Sequence, residues 1–188
     1  MVWLVAGVAI WAAVHFLPGI APTLRTRLVG GIGEGPYKGA FSLLLIVGVV
    51  AIVIGWRAIV PTPGYEPPAW GLGVTRNFLI IGMILFFGGR FSSLISRNIR
   101  HPQLVGVAVW AAGHLFSNGD DRSIILFGGL GLWAIAEIIA INRRDGVWQP
   151  PEPKSLRTEL RPLAIGLAGF AIVMFAHEFL FGASPLAG

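Results

Sequence analysis

The chain of 188 residues contains no cysteine. Structural disulfides, thiolate haem ligands, iron–sulfur clusters and cysteine-based zinc sites are thereby excluded. Charge is scarce as well: 12% of residues are Asp, Glu, Lys or Arg, against 55% hydrophobic, whereas soluble domains carry about 25% charged residues. The shortage runs along the whole chain, and the mean hydropathy is +0.75. No Lys or Arg precedes Arg25, so the first apolar stretch lacks the positive leader of a secretory signal and is expected to be a retained helix. There is no nucleophilic triad, no strand followed by a glycine-rich phosphate loop, and no carboxylate pair at glycosidase-like spacing. Gly31-Ile32-Gly33-Glu34-Gly35 follows no strand and is not a nucleotide fingerprint.

What the chain has is long apolar runs. A membrane helix needs about 20 largely apolar residues. Residues 2–17, 39–56 and 102–119 carry no acid or base. Residues 71–89 carry only Arg76, residues 123–142 only Glu137, and residues 162–181 only Glu178. The expected fold class is therefore all-α: a polytopic membrane bundle of about six transmembrane helices in a single domain over residues 1–188.

The basic excess of +5 is distributed by topology. Arg25, Arg27 and Lys38 lie in the first connection, Arg90, Arg97 and Arg100 in the third, and Arg143, Arg144, Lys154, Arg157 and Arg161 in the fifth. The other connections hold only Arg57, Arg76 and Arg122. Cytoplasmic loops collect Lys and Arg, which puts both termini on the outer side. The charge faces membrane lipid, and no nucleic-acid partner is expected.

Proline and glycine punctuate the runs. Pro61, Pro63, Pro67 and Pro68 stiffen the second connection, flanked by Trp56 and Trp70. Gly128, Gly129, Gly131, Gly166 and Gly169 suit close helix packing, within the chain or between copies in an oligomer. No internal repeat stands out.

Polar side chains at membrane depth are costly and point to function. All four histidines fall in or at the edge of a span. By depth, His15, Arg100, His101 and Glu137 lie toward the inner side. Arg76, Asn77, His114, Asn118, Asp120, His177 and Glu178 lie toward the outer side. Neutral imidazole is a common metal ligand, and an apolar, cysteine-free setting favours haem over zinc. His101 and His114 are too far apart along one helix, ~20 Å, to share an iron. Depth pairs His114 with His177 and His15 with His101.

The stretch Arg100-His101-Pro102-Gln103-Leu104-Val105-Gly106, continued by Trp110, His114 and Asn118-Gly119-Asp120, resembles the NnrU family of bacterial membrane proteins. It also resembles the 15-cis-zeta-carotene isomerases that share that domain. His15, Arg25 and Arg27, Tyr37-Lys38 and Phe175-Ala176-His177 agree with the pattern, which covers nearly the whole chain. The resemblance implies a six-helix protein of the bacterial inner membrane. It implies haem b bound through histidines matching His15 and His114, a small hydrophobic substrate, and cis–trans isomerase or redox chemistry linked to denitrification. The element Asn118-Gly119-Asp120 is closer to the bacterial pattern than to the isomerases. Two alternatives stand beside this. One is a non-catalytic membrane factor for respiratory enzyme assembly. The other is an S-adenosylmethionine-dependent methyltransferase, since Arg100 and His101 also resemble the start of a helix in isoprenylcysteine carboxyl methyltransferases.

Overall fold

The computed structural model describes residues 1–89 and 93–182; Arg90, one of the basic residues of the third connection, lies outside them. The described residues are helical apart from loops and one isolated antiparallel bridge, Pro63 to Asp120. The chain divides into two compact units. Unit one comprises Met1–Glu66 and Asn118–Val147, and unit two comprises Pro67–Ser117 and Trp148–Gly188.

In unit one, α1 (Val2–Ile20) is followed by the short α2 (Pro22–Ile32) and by α3 (Glu34–Ala58). Pro22 opens α2 where a missing N–H costs nothing. Gly33 sits at φ 87°, a left-handed conformation that lets the chain turn from α2 into α3. At 1.5 Å per residue the 25-residue α3 is about 37 Å long, enough to cross a core of about 30 Å. The unit is completed by one turn, α7 (Asp121–Ser123), a π-helical segment Ile124–Gly128, and α8 (Gly129–Asp145), which together form one continuous rod. Helix α1 packs on both α3 and α8.

Unit two contains α4 (Gly71–Met83), which runs into a second π-helical segment, Ile84–Gly88. Then come α5 (Ser93–Asn98), α6 (Pro102–Ser117) and α9 (Leu156–Phe181). Helix α6 packs on α4 and its π segment, and α9 lies against the same segment. Gly166 and Gly169 make the second contact possible: a Cβ on Gly166 would lie 2.7 Å from Ile84 Cα.

Among the described residues, four helices are long and apolar enough to cross a membrane: Val2–Ile20, Glu34–Ala58, Asp121–Asp145 and Leu156–Phe179. They contain the expected runs 2–17, 39–56 and 123–142, and most of 162–181. The run 71–89 becomes a shorter apolar helix, Gly71–Phe87, and the run 102–119 becomes the 16-residue α6. Exposed apolar side chains such as Leu43, Ile46, Val50, Ile172 and Phe175 cover these helices. Such a surface is unstable in water and suits lipid.

The structure also reveals a repeat that the sequence reading does not anticipate. Gly7-Val8-Ala9-Ile10-Trp11-Ala12-Ala13-Val14-His15 in α1 matches Gly106-Val107-Ala108-Val109-Trp110-Ala111-Ala112-Gly113-His114 in α6. The two differ only at Ile10 against Val109 and Val14 against Gly113. Their packing matches too. A Cβ on Gly7 would lie 2.6 Å from the Gly48 oxygen and 2.7 Å from the Ile52 nitrogen. A Cβ on Gly106 would lie 2.7 Å from the Gly82 oxygen and 2.8 Å from the Phe86 nitrogen. Gly48 and Ile52 in α3 are four residues apart, as are Gly82 and Phe86. Each unit thus holds the same helix pair, seated on glycine and carrying one histidine a turn beyond a tryptophan.

Candidate functional site: two tryptophan-backed histidines

Helical geometry dictates the state of each imidazole. His15 lies one turn beyond Trp11, and its Nδ1 is 2.9 Å from the Trp11 carbonyl oxygen. His114 lies one turn beyond Trp110, with Nδ1 again 2.9 Å from the Trp110 carbonyl oxygen. A carbonyl can only accept, so Nδ1 donates in both. In the neutral ring this leaves the lone pair on Nε2. A histidine ligand is commonly oriented in this way, with one nitrogen anchored to a carbonyl and the other presented to a metal.

In unit one, His15 sits in an aromatic enclosure. Its ring centroid is 4.4 Å from Trp11, 4.9 Å from Trp133 on α8 and 5.8 Å from Phe41 on α3. Trp11 and Trp133 meet edge to face at 5.9 Å. The same end of the unit holds a cluster of buried polar atoms with no hydrogen-bond partner: Trp11 Nε1, Trp133 Nε1, Tyr37 Oη and Glu137 Oε2. An orphaned buried group costs about 1–3 kcal/mol, so each of these atoms calls for a partner such as water, an ion or a ligand. Glu137 is 6% exposed, and a Cβ on Gly19 would lie 3.0 Å from its Oε1.

In unit two, the Trp110 ring lies 4.8 Å from that of His114. The hydroxyl of Thr75, buried on α4, is 2.9 Å from the Gly71 oxygen and 2.8 Å from the Gly113 oxygen. It ties α4 to α6 at the residue preceding His114. His177 on α9 is within electrostatic reach of His114. The structure thus gathers His114 and His177 in one unit. His15 and His101, the other pair suggested by depth, belong to different units.

The remaining candidates make contacts with the framework as well. The Asn118 carbonyl accepts from the Tyr65 hydroxyl at 3.1 Å, and the Gly119 carbonyl accepts from Gly64 and Tyr65 N–H at 2.8 and 2.9 Å. Asp120 caps α7, accepting from Ser123 N–H at 3.0 Å and the Ser123 hydroxyl at 2.7 Å. The Asn-Gly-Asp turn therefore staples the proline-rich loop to the rod that follows. Burial, then the Asp120 carboxylate, holds the Tyr65 phenol above its usual pKa. Arg100 and His101 link α5 to α6, and the His101 carbonyl accepts from Val105 N–H at 3.0 Å. Glu137, Arg143 and Arg144 belong to unit one, and Arg100 and His101 belong to unit two.

Among the described residues no three His, Asp or Glu side chains converge as a metal-binding group. Imidazoles in aromatic surroundings suit a metal that brings its own macrocycle.

The model of the NnrU protein family matches residues 3–185. The chain belongs to the NnrU family. No curated protein and no solved structure matches it. The NnrU match spans both units and both copies of the tryptophan–histidine element, so the paired histidines lie inside the family domain. Sequence reasoning singled out both histidines as candidates but not Trp11 and Trp133, which surround His15. The available signal was the recurrence of Trp-Ala-Ala-x-His.

Proposed function

We propose that this NnrU-family chain is a haem-b protein of the bacterial inner membrane. His15 and His114 are iron ligands, and His177 is the candidate second ligand for His114. The observation that carries the reading is the repeated Nδ1-to-carbonyl bond, which sets both imidazoles in the ligand tautomer. The donor set fits: neutral imidazoles backed by tryptophan, with unpartnered indole N–H groups beside His15. Bound haem supplies an iron whose reactivity depends on which axial positions the protein fills. The chain's own part is to hold each imidazole in one orientation, exclude water with Trp11, Trp133 and Phe41, and admit an apolar partner from the lipid. An isomerase-like or redox role linked to denitrification is the activity that fits this arrangement.

In this reading the chain crosses the membrane six times with both termini outside, supported by the concentration of Lys and Arg in connections one, three and five. Gly71–Phe87 and α6 are then the two shorter spans, which a locally thinned bilayer accommodates.

The test is haem content in single variants. His114→Ala and His15→Ala are each expected to lower haem bound per chain by pyridine haemochrome assay and to shift the Soret band. Unchanged content and spectrum in both would refute the assignment.

A further inference from the structure

A cavity of about 490 Å³ opens in unit one where α1, α2 and α3 meet, within the range of about 300–1,000 Å³ typical of small-molecule sites. It is lined by Arg25 and Thr26 from α2, Tyr37, Lys38 and Phe41 from α3, and Arg144 from α8. Two of its three cations are ion-paired with a carboxylate. Lys38 pairs with Glu34 at 2.8 Å, at the exposed rim, and Arg144 pairs with Asp145 at 2.6 Å while donating to the Pro18 carbonyl at 2.8 Å. Arg25 has no carboxylate at ion-pairing distance among the described residues, although the Glu34 carboxylate is within its electrostatic reach. Its guanidinium lies 5.7 Å over the Tyr37 ring. Tyr37 is 8% exposed, and its hydroxyl is buried with no hydrogen-bond partner. The wall thus offers one cation without a close carboxylate, and behind it lies one buried hydroxyl without a hydrogen-bond partner, which together are the chemistry of an anion site.

The surroundings say which anion. Helix α2 joins two membrane-length helices, so it lies at a membrane surface. Leu24, Leu28 and Ile32 recur every four residues along α2, and all three are exposed. Arg25 and Arg27 lie off that stripe. A short helix with an apolar stripe and flanking arginines lies in the headgroup layer and is drawn to anionic lipid. Phe41, one turn beyond Tyr37, lines the cavity on its apolar side.

We propose that this cavity binds the phosphate of an anionic phospholipid. Arg25 neutralises the phosphate, the Tyr37 hydroxyl donates to it, and Lys38 adds charge at the rim. The acyl chains leave along Phe41 and the lipid-facing side of α3. The site does not depend on haem.

The full chain, purified in detergent and stripped of lipid, is incubated with equal amounts of phosphatidylglycerol and phosphatidylcholine and examined by native mass spectrometry. One phosphatidylglycerol adduct that survives collisional activation is expected, with phosphatidylcholine lost. Arg25→Gln and Tyr37→Phe should each weaken retention about tenfold, as loss of a charge-assisted hydrogen bond implies. Arg25 is exposed, so that variant keeps its fold, and thermal unfolding checks the Tyr37 variant. Equal retention of the two lipids, or unchanged retention in both variants, would overturn the proposal. So would complete displacement by excess inorganic phosphate, which would show that the site reads free phosphate rather than lipid.

Discussion

Gly106 and Gly82 meet backbone to backbone: a Cβ on Gly106 would lie 2.7 Å from the Gly82 carbonyl oxygen. The neighbour is main chain and cannot swing aside, so the two helices must part to admit a methyl group. Gly7 meets Gly48 in the same way at 2.6 Å. Gly106→Ala and Gly7→Ala are each expected to destabilise the protein by about 1–3 kcal/mol, the usual cost of overpacking. Gly73, on the same α4, has nothing within 4 Å of its missing Cβ. Gly73→Ala should be neutral or stabilising by up to about 1 kcal/mol. Thermal unfolding in detergent separates the two classes, and equal effects at Gly106 and Gly73 would contradict the packing described.

The histidine reading predicts chemical rescue. His114→Gly leaves a space the size of the ring while keeping the Trp110 carbonyl in place. Added imidazole is expected to restore the haem absorption lost in that variant, and likewise for His15→Gly. A histidine that served only to pack helices would show lost stability, with no spectral recovery on adding imidazole.

Asp120 is both the cap of α7 and the anchor of buried Ser123, which is 0% exposed. Asp120→Ala removes the cap and orphans the Ser123 hydroxyl, at an expected cost of about 1–2 kcal/mol. Asp120→Asn keeps an acceptor and should lose less. Chemical denaturation in mixed micelles would show the order, and an alanine variant as stable as the parent would remove the staple from the account.

Glu137 is buried with Oε2 unpartnered. A carboxylate in that position is expensive, whereas glutamine has the same shape and no charge. Glu137→Gln is expected to match or exceed the parent in thermal stability at neutral pH. A marked loss would mean that the charge itself is used, with Arg144 as its electrostatic partner.

Much of the fold is legible in the sequence because lipid imposes a simple rule. Where the chain carries at most one charge over 16 to 20 residues it forms a helix, as at residues 2–17, 39–56 and 123–142. The two shorter helices have local boundaries: α4 passes into a π segment over Ile84–Gly88, and Pro102 starts α6 only after the Arg100-His101 link. The histidines stand out because imidazole in an apolar run is conspicuous. Their surroundings do not, because Trp11, Trp133 and Phe41 are ordinary apolar residues until packing brings three helices together. The repeat is hidden for the same reason. Nine residues spaced ninety-nine apart are easy to overlook, and their significance rests on Gly48 and Gly82, which lie on other helices. Asn118 is a site candidate in the sequence, and its backbone carbonyl also accepts from the Tyr65 hydroxyl, a contact that spacing alone does not show.

The central claim is most directly tested by the absorption spectrum of the detergent-purified, haem-supplemented full chain, oxidised and then reduced by dithionite. The account predicts a Soret band at near-stoichiometric haem, with sharp α and β bands on reduction, as low-spin iron held by imidazole gives. A folded, monodisperse protein with no Soret band would contradict it, and would leave His15 and His114 as packing residues of a repeated helix pair.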